Sequence, residues 1–327
     1  MGWDLINSAI NGEATSDEFG RTVTISGDGS VIAVSAPDGN GGKGEVTLYT
    51  NNSGSWDIYG QFEGSAGSDF GGSLSLSDDG NIVAIGSTGN GTDRVKIIRY
   101  VSPDVWEIIG DLSGNNNYGS SVSLSSDGTI LAVGAPALNE TKVYQYSSGT
   151  SWSQLGTDID GEAAGDESGK SVSLSSDGTI IAIGAWQNDA NGNNSGHVRV
   201  YQYSSGSWSQ LGSDIDGEAA SDFSGYSLSL SSDGSIIAIG AYANDENGVD
   251  SGNVRVYQYS SESWSQLGSD IYGGAVGDYS GFSVSLSSDG SSLVIGSYKA
   301  NSSTGSVSAY SNPIVPTLSS STPADDA

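Results

Sequence analysis

A chain of 327 residues with 39 acidic and only 10 basic side chains carries a formal charge of −29, a surface that repels nucleic acid and anionic membranes, since both need Lys and Arg opposite phosphate. It has no cysteine, which excludes disulfides and thiolate chemistry, and no run of about 18 apolar residues that could cross a bilayer as a helix. Its 49 glycines and its many Ser, Val, Ile and Tyr point to short strands joined by turns, and its charge favours cations.

The first residues, MGWDLINSAI, lack the basic region and long apolar run of a signal peptide. Within them Trp3-Asp4-Leu5-Ile6 reads as a short strand. An Asp-Gly pair then recurs with its glycine at Gly29, Gly80, Gly128, Gly178, Gly234 and Gly290, which marks six copies of one unit, the last three nearly identical.

The fourth copy shows the unit most clearly. Ser171-Val172-Ser173-Leu174-Ser175 alternates small polar with apolar residues, as a strand does. Ser176-Asp177-Gly178 is a tight turn, and Thr179 to Ala185 is a nearly continuous apolar run, expected for a strand covered on both faces. After the polar QNDANGNNSG, His197 to Tyr203 alternates again, and Trp208-Ser209-Gln210-Leu211 makes a fourth strand. No segment has helical periodicity with caps. Four antiparallel strands repeated six times predict an all-β fold, a six-bladed β-propeller.

The expected blades are 20–60, 71–111, 119–156, 169–212, 225–268 and 281–311, the last completed by residues 2–7. The reason is the offset of the ends. The chain starts with a fourth-strand sequence and its last copy stops after the third strand, Ser306 to Tyr310, so the N-terminal strand can close the ring and protect its edges. The propeller domain then covers 1–311, and NPIVPTLSSSTPADDA, residues 312–327, reads as a Pro/Ser/Thr-rich tail or linker to other modules of a longer chain or assembly.

In such a blade the loops between strands two and three, and between strand four and the next strand one, share one face. Here those loops are long, acidic and variable, while the opposite face has only short turns. Variable loops on a constant scaffold are where binding sits. Two sets of positions should meet at the channel mouth. One follows strand two: Pro37, Thr88, Pro136, Trp186, Tyr242 and Tyr298. The other opens strand one: Arg21, Gly72, Ser120, Lys170, Tyr226 and Phe282. Among them Trp186, Tyr242, Tyr298, Arg21, Lys170, Tyr226 and Phe282 form a candidate ligand-binding patch of rings and cations, with packing of blade against blade as the other reading of the same aromatics.

Oxygen ligands suited to Ca²⁺ occur at alternate positions with a glycine turn in Asp189, Asn191 and Asn193, and again in Asp245 and Asn247. Asp158, Asp160 and Glu162, and Asp214, Asp216 and Glu218, show the same alternation; the competing reading is an Asx turn. No cofactor other than Ca²⁺ is expected. The single histidine, His197, stands where the next copy has Asn253 and reads as a surface substitution.

These motifs resemble the FG-GAP repeat family, in its bacterial or marine subtype. Phe19-Gly20, Phe70-Gly71 and Tyr118-Gly119 stand at the FG position, and Ser35-Ala36-Pro37 and Gly134-Ala135-Pro136 at the GAP position. In later copies the aromatic shifts, as in Asp222-Phe223-Ser224-Gly225 and Asp278-Tyr279-Ser280-Gly281, and the proline becomes Trp or Tyr. The resemblance covers about residues 2–311. It implies an integrin-like β-propeller in an extracellular or surface-exposed protein, secreted or on a cell or virion, that mediates adhesion by binding a glycan or protein. Integrin-type repeats carry a calcium loop between strands one and two. The turn here is only SSDG, GDG or DDG, too poor in carboxylates for such a site at Asp177 or its equivalents. The expected function is non-enzymatic binding, without nucleic acid or membrane insertion. Two alternatives are a structural block of a filament, virion or surface layer, and a glycan-cleaving propeller enzyme.

Overall fold

The computed structural model describes residues 9–12, 14, 16–89, 94–114 and 117–311. The chain is a six-bladed β-propeller of antiparallel sheets. In the fourth blade Ser168–Leu174, Ile180–Ala185, His197–Ser204 and Ser207–Gln210 pair in chain order from the channel outward. The first, second, third and fifth sheets repeat this order, and the sixth has three strands among the described residues, ending with Ser306–Ser311. The strand expected at 2–7 and the tail at 312–327 lie outside the described residues.

The Ser-x-Asp-Gly segment explains its own recurrence. In the fourth copy Asp177 accepts hydrogen bonds from the Ser175 hydroxyl at 2.7 Å and from the Thr179 amide at 2.9 Å. The Ser175 hydroxyl in turn accepts the Ile180 amide, and Gly178, with φ +69°, donates to the Ser175 carbonyl. The same bonds recur at Asp28, Asp79, Asp127, Asp233 and Asp289. The turn therefore pairs its own hydroxyl and amide donors with its carboxylate. Neighbouring turns are tied by backbone bonds: Asp78 donates to Ser126, Ser126 to Ser176, Ser176 to Ser232 and Ser232 to Ser288, all at 2.8 Å.

Blades meet along seams of alternating chemistry. Apolar residues of one blade's second and third strands pack on the next blade's inner strands; Ala182, Val198 and Val200 meet Leu228, Leu230, Ile237 and Ile239. The alternate serines cross the same seam. Ser171 donates to the Gly225 carbonyl at 2.7 Å, and Ser173 accepts the Leu230 amide at 3.1 Å. Nearer the mouth, Gly184 approaches the next blade so closely that a Cβ would sit 2.1 Å from the Gly225 carbonyl. The glycine of the GAP position thus exists to admit the glycine of the next FG position. On the outside, the Trp208 indole donates to the Leu155 carbonyl of the preceding blade at 2.8 Å, and Trp106, Trp152 and Trp264 repeat the contact.

At the sixth-to-first seam the described residues leave apolar surface uncovered. Val23, Ile25 and Val307 are exposed, whereas their counterparts Leu74, Leu76 and Val254 are buried in seams.

Three features lie beyond the sequence reading. A single 3-10 turn occurs at Pro136–Leu138, and compact turns with left-handed residues inside them at Gly39–Gly42 and Ala300–Ser303, all too short to carry a periodic pattern. Two-residue strands at Ile159–Asp160, Ile215–Asp216 and Ile271–Tyr272 pair with the start of the third strand of blades three, four and five. Because of that pairing, His197 is wholly buried and not a surface position. Asp216 lies opposite it in register.

Candidate functional site

The two position sets read from the sequence do meet at the channel mouth. Arg21, Gly72, Ser120 and Lys170 line one cavity of about 270 Å³ together with Pro37, Thr88 and Pro136. This is the polar sector, supplied by blades one to four, and Asp69, Asn117 and Glu167 complete its wall.

The remaining members form an aromatic sector on blades four to six. Tyr226 packs on Trp186, Tyr242 and Phe282 with ring centroids 5.4, 4.6 and 5.0 Å away. Phe282 continues to Tyr298 at 4.3 Å. Most of these rings are half-buried, and Tyr298 is 45% exposed. They pack on one another and still present edges and faces to solvent, so the two readings of the sequence are both realised in one cluster.

Cations flank the rings. The Lys170 ammonium lies 4.7 Å from the Tyr226 centroid and 5.7 Å from that of Trp186. Burial pushes its pKa below the ordinary lysine value, and Glu167 partly restores it. Glu167 also accepts a 2.7 Å hydrogen bond from the Trp186 indole, which fixes that ring at the boundary between sectors. Burial, helped by Tyr226, raises the Tyr242 phenol to about 12. Arg21 is paired with Glu18.

A third rim position per blade was not legible as such. Glu18, Asp69, Asn117, Glu167, Phe223 and Tyr279 occupy the same place, two residues before the glycine of each inner strand, and all have left-handed backbone with φ between 49° and 65°. In each copy the amide three residues later donates to this residue's carbonyl. Asn and Asp tolerate this conformation, whereas Phe and Tyr are outliers in it. The turn is therefore set by the fold, and the side chain is free to change from carboxylate to ring. Phe223 bridges Trp186 and Tyr242, and Tyr279 bridges Tyr242 and Tyr298. Lys299, also missed, lies 4.3 Å over the Tyr279 ring.

The loop residues expected to hold Ca²⁺ brace their own loops or tie them to the following linker. Asp189 accepts the Asn194 amide and Asp245 the Asp250 amide, each at 2.8 Å. Asn191 and Asn247 donate to the carbonyls of Gly217 and Gly273, and Asn193 accepts from Asn194. Among the described residues the titratable groups that gather closely are Glu162, His197 and Asp214 in one cluster, and Glu218, Glu246 and Asp270 in a second; Glu162, Asp214 and Glu218 come from the second pair of alternating sets. The alternation within one loop does not assemble them. Each cluster joins carboxylates from two successive linkers around the residue that opens the third strand, and the second adds Glu246 from the loop between strands two and three.

An antiparallel propeller with a half-aromatic, half-polar channel mouth is the class that this fold and rim define. Within that class the chain carries an FG-GAP repeat: residues 157–201 match the family model of that description, and the following blade repeats those residues closely. No curated protein matches the chain in sequence. Among solved structures it is similar to a functionally unknown protein from Desulfotomaculum acetoxidans DSM 771, at 10% identity and TM-score 0.64 over 90% of this chain and 82% of that one. It is also similar to the periplasmic gluconolactonase PpgL of Pseudomonas aeruginosa, at 15% identity and TM-score 0.58 over 89% of this chain and 88% of that one. At such identities the likeness is one of fold. No helix among the described residues is long and apolar enough to cross a membrane.

Proposed function

We propose that the protein is a non-enzymatic binding module, extracellular or surface-exposed, that holds a glycan on the aromatic sector of its channel mouth. The observation that supports this most is the set of mutually packed, half-exposed rings from Trp186 to Tyr298, edged by Lys170 and Lys299. Rings held in place by one another lose little freedom on binding, and their faces suit the C–H face of a sugar ring. The carboxylates and hydroxyls of the adjacent polar sector would take the sugar hydroxyls. The strongly acidic surface disfavours anionic glycans and favours neutral or amino sugars.

A glycan array followed by calorimetry tests the reading. Tyr242→Ala and Trp186→Ala should weaken binding about tenfold or more, a loss of about 1.4 kcal/mol each. Binding of array hits that ignores both substitutions would overturn the site.

An enzymatic reading draws on the polar cavity, where Asp69 and Glu167 line one wall with Lys170, and on the fold shared with a gluconolactonase. Turnover of a lactone or polysaccharide, abolished by Glu167→Gln, would favour it over simple binding.

A further inference from the structure

One place in the fold is built three times and finished in three different ways. Glu140, His197 and Asn253 open the third strands of blades three, four and five. Beside them, in the linker that follows, come Asp158, Asp214 and Asp270, each with one oxygen held by a glutamine, Gln154, Gln210 or Gln266, at 2.5–2.6 Å.

In blade three the acids enclose a cation of the protein's own: the Lys142 ammonium is 3.2 Å from Glu140 and 3.5 Å from Asp158. In blade five hydrogen bonds close the place. The Asn253 amide donates to Glu218 and Asp270 at 3.1 and 3.2 Å, and the Tyr272 hydroxyl to Glu246 and Asp270 at 2.7 and 3.3 Å.

Blade four has neither device. The lysine position is Arg199, whose guanidinium donates to the Asp160 carbonyl at 2.7 Å, touches Glu162 only at 3.7 Å and lies against the Tyr201 ring. The tyrosine position is Asp216, a further carboxylate. At the centre the His197 side chain is 0% exposed, and neither of its nitrogens has a hydrogen-bond partner. Its Nδ1 lies 3.8 Å from Glu162 Oε2 and 4.0 Å from Asp216 Oδ1. One nitrogen of His197 and one oxygen each of Glu162 and Asp214 lie within 4.8 Å of one another. A buried imidazole without a partner is costly unless something else satisfies it.

The geometry points to a divalent transition-metal site formed by Glu162, His197 and Asp214, with Asp216 at its edge and Zn²⁺ as the fitting ion. An imidazole with two carboxylates is a Zn²⁺ donor set, and three protein ligands leave a fourth position for water or a ligand oxygen. Ligand atoms about 2.0–2.2 Å from such an ion sit about 3.4 Å apart, so the three groups need close by only about an ångström. The glutamine on Asp214 leaves its second oxygen to the metal and orients the carboxylate, as outer partners of metal ligands do. Ca²⁺ is a poor match, because it takes oxygen ligands.

His197 is the only histidine, so its imidazole gives the only such signals in a ¹⁵N-labelled sample of the full chain. Titration with ZnCl₂ should move one imidazole nitrogen to a metal-bound position, saturating at one equivalent, while CaCl₂ leaves it in place. Asp214→Asn should weaken the event at least tenfold. His197→Asn, which installs the residue of the next blade, should leave only the weak binding of the acidic surface by calorimetry. An imidazole unmoved by excess Zn²⁺, an equal response to Ca²⁺, or wild-type affinity in either variant would overturn the site. Asp214 is half-exposed, so its substitution keeps the test decisive if the His197 variant fails to fold.

Discussion

Phe223 and Tyr242 stack with ring centroids 5.5 Å apart and planes within 8° of parallel, although Phe223 must hold φ at +56° to reach that position. A left-handed residue costs about 1–2 kcal/mol, and each aromatic contact returns about 0.5–1.5 kcal/mol. The two nearly cancel, so stability alone gives the ring little advantage at this position. Phe223→Asn, which tolerates the backbone, should change Tm by only a few degrees and yet lower glycan affinity about tenfold. A large loss of Tm with affinity unchanged would make Phe223 a packing residue only.

Gly184→Ala forces a methyl to within 2.1 Å of the Gly225 carbonyl, with the Ser171 hydroxyl 2.4 Å away as well, so the backbone contact cannot be relieved by a side-chain shift alone. The expected cost is about 3 kcal/mol, at the upper end of overpacking effects. Gly274→Ala is the control, since its nearest atom is a flexible Asp278 oxygen at 3.4 Å. Urea midpoints of the two variants should differ clearly; equal midpoints would refute the account of the seam.

Trp208 couples blade four to blade three through the Leu155 carbonyl. Trp208→Phe should cost about 1 kcal/mol, the worth of one hydrogen bond, and Trp208→Ala about 3 kcal/mol. Denaturant unfolding of both variants separates the bond from the packing.

The turn aspartates predict the response to acid. At Asp289 the Ser287 hydroxyl and then the Ser291 amide and hydroxyl lower the pKa to about 2. At Asp28 the Ser30 amide and hydroxyl lead in lowering it. At Asp79, Asp127, Asp177 and Asp233 burial is the largest single influence and raises the pKa, but the hydroxyl and amide bonds together outweigh it. A carboxyl with a depressed folded pKa stabilises above its unfolded value, near 3.8. That contribution fades as pH falls through the folded values, toward about 2 at Asp289. Asp222, pushed up chiefly by burial, acts in the opposite sense. The urea midpoint should be level above about pH 5 and fall steeply below about pH 4. A midpoint that rises on acidification would contradict this.

Beside Ser306–Ser311 a groove of about 320 Å³ is lined by residues including Leu267, Gly268, Leu293 and Tyr310. In the preceding blade Trp264 rests at the corresponding place, 2.8 Å from where a Cβ on Gly212 would be. The sequence expectation that residues 2–7 complete blade six is checked by Trp3→Ala. A loss of about 3 kcal/mol is expected, as for the other tryptophans. An unchanged Tm would exclude that residue from the groove.

How much was legible depended on whether the information repeats. The strand order, the turn at Asp177 and the rim positions at Trp186 and Lys170 follow from a short pattern written six times, because a propeller asks the same of each blade. The positions that escaped are those whose meaning lies between copies. Phe223 looked like a displaced FG aromatic until its backbone placed it on the rim. His197 looked like a surface substitution until the strand Ile215–Asp216 covered it.

The sequence by itself determined the blade, since alternation, tight turns and glycine positions are local chemistry. Only the tertiary structure decided which residues of different blades face one another. Ring packing gathered the aromatics into one sector, and strand pairing brought Glu162 of one linker and Asp214 of the next to the same imidazole. Glu162 and Asp214 hold different places in successive copies, so no pattern within one copy relates them; the pairing of strands between linkers and blade is what joins them.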